Sequence, residues 1–379
     1  MAKPNAQVRR KLLLVLTITA SWMLIQSISF INQYFFVVDL IDLEKLSGSY
    51  AFWPDFTGNL ILSAAGGLVG GYLLVFKMNS FYRRRSFAFG VLNAGLLFVV
   101  IYISFAVLSL FLMGLIYFSL QTDLATALQT AWNNLLVNLN TPSFFTTMLI
   151  WGLLVSGTQF MLQVNDKFGQ GVLLNFLSGK YYHPREEERI YMFLDLKSST
   201  TIAERIGNRR FFELLKEVYF DITEPILESL GEIYQYVGDE VVVTWPVDKG
   251  VQDNNCLACF FSIARKIDQK SKIFVEKYGV VPTFKAGVHI GRATVGEIGV
   301  IKKDIVYSGD VLNTTARIQS LCNDYQADLL VSSDLLSLLQ LGSEYTSSPI
   351  GEISLRGKEE KVGLHTIAMP PTYLPNSNP

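Results

Sequence analysis

The chain has 379 residues, half of them hydrophobic, with 32 basic against 33 acidic side chains and a mean hydropathy of +0.31. That is too apolar for a protein wholly in water, so part of it is expected in lipid, and the balanced charge leaves no global field to favour nucleic acid or an acidic partner. Three cysteines, Cys256, Cys259 and Cys322, give no disulfide framework and fit a reducing compartment.

From the N-terminus, four stretches are apolar and long enough to cross a hydrocarbon core, which takes about 20 residues of helix: residues 11–36, 58–76, 87–120 and 143–164. The first is too long for a signal-peptide core and is expected as a retained helix. The third is over-long, so it should tilt or project beyond the bilayer. Lys and Arg near membrane ends are held on the cytoplasmic side. Arg9, Arg10 and Lys11 precede the first stretch, and Lys77, Arg83, Arg84 and Arg85 separate the second from the third. The other loops carry Asp39, Asp42, Glu44, Asp55 and Asp123, with Lys45 their one basic residue. This predicts an integral multi-pass protein of the cell membrane, in contact with its lipid, with both termini cytoplasmic. Gly66, Gly67, Gly70 and Gly71 form two overlapping small-xxx-small pairs, expected to pack helices within one bundle.

Charged residues recur as on a globular surface from Asn165 onward. Residues 165–187 are Gly-punctuated and end in a charge run; Val172, Leu173, Phe176 and Leu177 are at helical spacing, which suits a short helix pairing with its copy in a dimer. Beyond them strands are expected at 189–196, 232–237, 241–245, 283–290 and 304–307, and helices at 199–229, 254–278 and 310–321. Cys256 and Cys259 fall inside the second of these helices with no second pair and no nearby His, and read as small core residues.

Two carboxylates emerge where strands end: Asp195 after YMFL, and Asp239 in the turn between 232–237 and 241–245. With those strands adjacent, both point to one spot, where oxygen ligands suit Mg2+ or Mn2+, two ions per site in an in-line displacement. Ser198, Ser199, Thr200 and Thr201 open the next helix, whose free amides and dipole favour phosphate; a helix cap is the plainer reading of Ser198. Asn313 and Arg317 stand four apart on one helix face, fit to orient a ribose and to offset charge on a transferring phosphoryl group. Such a transfer needs no covalent nucleophile if the substrate carries its own hydroxyl.

The segments FLDLKSST, YVGDEVVVTW, FKAGVHIGRATVGEIG, VYSGDVLNTTARIQS and ISLRGKEEKVGLHTI resemble, in that order, the successive blocks of the class III adenylate/guanylate cyclase catalytic domain. The resemblance covers about residues 188–367 and not the apolar half. It implies a ferredoxin-like core acting as a head-to-tail homodimer, with active sites at the interface and ATP as substrate. Asp195 and Asp239 match the metal-binding aspartates of one subunit, and Asn313 and Arg317 the transition-state pair of the other. Arg292 stands where some members place a phosphate-binding Arg, and Lys358 resembles the polyphosphate-binding Lys. Gln235 and Val306 occupy the base-reading positions, where adenylate cyclases commonly have Lys and Asp or Thr. Gln can donate and accept and Val can do neither, so GTP and a pyrimidine triphosphate stay open beside ATP. VGDE also resembles the turn of diguanylate cyclases, but those lack the Asn313 to Arg317 pattern; a catalytically silent receptor would lack a metal Asp or that pair. The expected architecture is therefore a four-span α-helical transmembrane domain (1–164), a linker (165–187), an α/β (α+β) ferredoxin-like nucleotidyl cyclase domain (188–368) and a tail (369–379).

Overall fold

A computed structural model describes residues 6–42, 52–78, 86–120, 122–168, 178–301, 303–354 and 361–369. The helical pairing expected of Val172 to Leu177 and the position of Lys358 lie outside these residues. The chain divides into two compact units, one through Phe168 and one after it.

The first unit is all helix: α1 (Ala6–Asp42), α2 (Phe52–Tyr72, prolonged by a π-helical turn Leu73–Met78), α3 (Phe87–Ser119), α4 (Leu124–Leu139) and α5 (Pro142–Phe168). Four segments are long and apolar enough to cross a membrane: Lys11–Phe36, Phe56–Met78, Phe87–Ser104 and Phe144–Asn165. Their large apolar side chains point outward, as at Leu62, Leu92 and Leu153, which suits lipid rather than water as the solvent of this unit. Inside, Trp22 packs edge-on against Phe98 and Trp151 and donates its Nε1 to Thr158 Oγ1 at 3.0 Å. The glycines of α2 make that packing close: a Cβ on Gly70 would fall 2.7 Å from the Trp22 ring, and one on Gly67 2.9 Å from Thr19 Cα. Gly67, Gly70 and Gly71 join helices within this one unit, the use expected for them, whereas a Cβ on Gly66 would meet nothing within 4 Å.

The third apolar stretch, expected to tilt or project beyond the bilayer, is one continuous helix. A helix of 33 residues is roughly 50 Å long against a hydrocarbon core of about 30 Å. Its far part carries α4, an element absent from the expectation. Asp123 caps α4 by accepting from Thr126 N at 3.2 Å, and the helix packs through Ala127, Ala131 and Leu135, with Ala131 against Gly114. Because small residues hold α4 in place, its sequence carries no apolar stripe of span length.

The second unit alternates β1 (Arg185–Leu196), α6 (Ser199–Ile206), α7 (Asn208–Glu228), β2 (Glu232–Val237), β3 (Glu240–Pro246), α8 (Asn255–Asp268), α9 (Ser271–Tyr278), β4 (Phe284–Ile298), β5 (Asp304–Ser308), α10 (Asp310–Ser320), β6 (Leu329–Ser332), β7 (Thr346–Ser354) and β8 (Lys361–Ala368). The sheet order is β2-β3-β1-β4-β6-β8-β7, with β5 on the outer part of β4; β4 and β6 are parallel and every other described pair is antiparallel. Strands β1 to β4 with their two crossovers make the ferredoxin-like split βαβ motif.

Strand β1 is central and buried on both sides, which is why residues 190–194 read as a continuous apolar run rather than an alternation. Ile190, Met192 and Leu194 pack on one side with Leu214, Val218 and Ile222 of α7 and Leu257, Phe260 and Ile263 of α8. Each such side chain contributes roughly 1.5–3 kcal/mol on leaving water. Tyr191 faces the other side, with Ala293 and Val311, under α10.

Two expected helices are each divided in two. The stretch 199–229 breaks at Gly207, whose φ of +82° no helix can carry and which closes α6 by donating to Ala203 O. The stretch 254–278 breaks between α8 and α9. The strand expected at 283–290 runs on as β4 to Ile298, because β5 pairs with its outer end. Cys256 and Cys259 are fully buried on α8, where burial pushes the Cys256 thiol up to about 12, so both are inert core residues.

Candidate active site

Asp195 stands at the end of β1, where the register sets Glu240 of β3 on one side of it and Lys285 of β4 on the other. A row of acid, acid and base thus crosses three strands on the side that faces α10. Asp239 joins it from the two-residue turn between β2 and β3. Gly238 before it has φ of +64°, and its carbonyl accepts from Tyr219 OH at 2.7 Å, which fixes the turn.

The Asp195 Oδ2 takes two donors, Gln319 Nε2 at 3.0 Å and Lys285 Nζ at 3.2 Å. Even so, burial, and then Asp239, push its carboxyl above the ordinary range against the pull of Lys285. Glu240 is pushed up to about 7, by burial first and then by Asp195 and Asp239. Like charges opposite each other on a sheet are destabilising, so this corner holds more negative charge than its protein partners neutralise. Among the described residues no three His, Cys, Asp or Glu side chains form a metal cage. Two carboxylates with excess negative charge and oxygen-only donors fit Mg2+ or Mn2+, which usually take one or two carboxylates and complete their shell with water and substrate phosphate.

Ser198 sits at the N-cap of α6 with φ of +54°, exposed, and makes no capping bond through its side chain; Ser199 and Thr200 follow as the first helical residues. A cleft of about 250 Å3 lies beside Ser198, lined also by Lys197, Thr201 and Arg205. The plain capping role for Ser198 is therefore not the one its hydroxyl plays here.

Asn313 and Arg317 lie on α10, with Asn313 exposed and Arg317 half-buried. The Nη1 of Arg317 is buried and has no hydrogen-bond partner among the described residues. An unsatisfied guanidinium nitrogen costs free energy that a bound anion would recover. Arg317 is two residues from Gln319, about 200° round the helix, so it faces away from the bond to Asp195.

Gln235 is exposed on β2 opposite Val242, and Val306 lies on β5 opposite Gly296. From Lys285, beside Asp195, to Gly296 is roughly 35 Å of strand. One chain therefore groups Asp195 with Asp239 and sets Val306 at the other end of β4. Arg292 is exposed on β4 opposite Glu188.

Lys285, Gln319, Glu240 and Tyr219 were not singled out from the sequence. For Glu240 the signal was its place beside Asp239, and for Lys285 its being the lone charge in the strand expected at 283–290. Gln319 meets Asp195 across 124 residues, and nothing local announces that.

Residues 181–368 match the family model of the adenylate and guanylate cyclase catalytic domain, so the second unit carries a domain of the class III adenylate/guanylate cyclase family. Over 218 residues the chain is 38% identical to adenylate cyclase 2 of Rhizobium meliloti (strain 1021), covering 57% of this chain and 60% of that protein. Over 188 residues it is 25% identical to adenylate cyclase 1 of the same organism, covering 48% of this chain and 27% of that one. The chain thus spans less than two thirds of the length of either. A solved structure of a bacterial light-regulated adenylyl cyclase shares the fold, with a TM-score of 0.50 at 18% identity over 58% of this chain and 65% of that one.

Proposed function

We propose that the chain is a membrane-anchored nucleotidyl cyclase that converts ATP to 3′,5′-cyclic AMP and diphosphate at the interface of a homodimer. The observation that carries this reading is the convergence of Asp195 and Asp239 at one corner of the sheet, with Arg317 on the far side of α10 holding a nitrogen unpartnered among the described residues. Family membership and the adenylate cyclases among the relatives support the reaction. The separation of Val306 from Asp195 within one chain supports a second copy, since a complete site then takes its carboxylates from one subunit and its base-reading and transition-state residues from the other.

Asp195 and Asp239 would hold two Mg2+ or Mn2+ ions, which supply charge neutralisation on the triphosphate and activation of the attacking hydroxyl. Asn313 of the facing subunit orients the ribose so that its 3′ oxygen lies in line with the α-phosphorus. A new oxygen–phosphorus bond forms, the bond to the bridging oxygen breaks, diphosphate leaves and the hydroxyl proton passes to water. Arg317 offsets the charge that gathers on the phosphoryl oxygens, an interaction worth most in the transition state. Ser198, Ser199 and Thr200, with Arg292 and Lys358, bind polyphosphate oxygens. Gln235 both donates to and accepts from the adenine edge, while Val306 supplies only an apolar wall. The loop charges support cytoplasmic termini and a cytoplasmic catalytic unit.

The test is to incubate the purified chain with Mn2+ and each of ATP, GTP, CTP and UTP. Cyclic AMP alone, lost in Asp239→Ala, is the expected result; another cyclic product would move the substrate and keep the mechanism, and none from a folded dimer would end the reading. Coexpressed Asp239→Ala and Arg317→Ala subunits, each inactive alone, should recover about a quarter of wild-type activity, because half of randomly mixed dimers hold one complete site.

A further inference from the structure

We propose that Gln319 is a positioning residue for Asp195, and that α10 thereby serves two active sites at once: its own subunit's through Gln319 and the facing subunit's through Asn313 and Arg317. The inference rests on the function proposed above. Gln319 is 6% exposed, on the face of α10 turned to the sheet. Its Nε2 donates to Asp195 Oδ2 at 3.0 Å. A neutral amide held in this way fixes the rotation of the carboxylate without cancelling its charge, whereas Lys285, on the same oxygen, opposes a second cation while it orients. With both donors on Oδ2, Oδ1 is left to face the site.

The reach of Gln319 depends on how close α10 lies to β4. A Cβ on Gly287 would fall 2.4 Å from Gln319 N and 2.9 Å from Thr315 O, and one on Gly291 2.9 Å from Val311 Cγ2. No side chain larger than hydrogen stands between helix and strand at those points, so the backbone of Gln319 is seated on the strand that carries Lys285. Lys285 also donates to Asn323 Oδ1 at 3.2 Å, just past the helix end. Asn313 and Arg317 project from the opposite side of the same turns. A rigid helix seated this firmly ties the orientation of its own Asp195 to the placement of the pair it offers across the interface.

The experiment uses the full chain and Mn2+ alone as the probe, followed by calorimetry. Gln319→Met keeps length and burial and removes the donor. It should raise the Mn2+ dissociation constant roughly 10-fold, the usual scale for losing a partner that orients a metal ligand, with the unfolding temperature unchanged. Lys285→Gln keeps a donor on Oδ2 and removes a competing charge, so it should not weaken Mn2+ binding. A second measurement separates positioning from a folding cost. In mixed dimers of Arg317→Ala with Asp239→Ala, the one complete site takes Asp195 and Asp239 from the Arg317→Ala subunit. Gln319→Met placed in that subunit should raise the Mn2+ needed for half-maximal rate, and placed in the other should leave it unchanged. Wild-type Mn2+ affinity in Gln319→Met, or an equal effect from either subunit, would overturn the positioning role. If Asp195→Asn itself leaves Mn2+ binding and cyclisation intact, the functional reading falls with it.

Discussion

Strand β1 puts a charge under cover at two places and treats the two oppositely. In the first half of the strand Arg189 is 4% exposed, yet each arm of its guanidinium has a partner: Glu187 Oε2 at 3.0 Å, Glu232, and Thr244 Oγ1 at 3.0 Å, with the Tyr307 ring 5.3 Å from its centre. Tyr181 and Lys180 bond to Glu187 in turn, so the charges close on themselves. At the far end Asp195 faces Asp239 and Glu240, with Lys285 the single ammonium to answer them among the described residues. In one cluster the charges are paired, with the buried Tyr191 hydroxyl left without a partner among the described residues; the other is left in charge deficit, which is what a site for a cation and a polyphosphate requires. Buried charge alone does not mark function: what marks it is the balance among neighbours.

The comparison breaks most visibly in activity. Asp239→Ala, like Asp195→Ala, should lower cyclic nucleotide formation roughly 10^3-fold or more, about 4 kcal/mol of transition-state stabilisation. Asp239→Ala should also raise the unfolding temperature in chelator, because it removes one of the crowded charges. A drop in stability alongside the lost activity would mean that the corner is held together by attraction rather than strained by repulsion.

At the paired cluster the signs reverse. Arg189→Met leaves Glu232 without its counter-charge and Glu187 with Lys180 alone, a loss smaller than the roughly 3–5 kcal/mol of a fully buried pair because Glu232 is 43% exposed. Urea unfolding should show that destabilisation, while the activity of the fraction that remains folded changes little. If activity per folded molecule fell as far as in Asp239→Ala, the two clusters would not be separable in role.

The sequence makes the deficit cluster easier to read than the paired one. Asp195 and Asp239 follow strands and Asn313 and Arg317 share a helix face, so local spacing alone brings out four residues of the proposed chemistry. Arg189 opens the apolar strand expected at 189–196, next to the charge run 185–188, and nothing local marks its partner Glu232, 43 residues on. Gln319 escapes for the same reason, since its partner is distant in sequence. The helix break at Gly207 had a local signal, a lone glycine before Asn208, which the strong apolar periodicity on both sides overrode. In the membrane unit the long apolar stretches are plain, but α4 is held by alanines against Gly114, and small residues leave almost no trace in a hydropathy pattern.

The finest test of the deficit is its dependence on pH. Glu240 has a folded-state carboxyl raised from 4.5 to about 7, so the folded protein binds its proton more tightly than the unfolded chain does. The stability this residue contributes is then fully present below about 4.5 and is lost as pH rises through about 7. Glu240→Gln holds that position neutral throughout. Without metal, the unfolding temperature of the variant minus that of the wild type should therefore grow between about 4.5 and about 7 and level off above. Because the group is only half-buried and solvent screens it, the effect should be smaller than either of the others. Adding Mg2+ should shrink the difference, since a cation beside Asp195 and Asp239 lowers the cost of ionising their neighbour. A difference that stays flat across this window, or that falls with pH, would mean that Lys285 already balances the row, and the contrast between the two clusters on β1 would be lost.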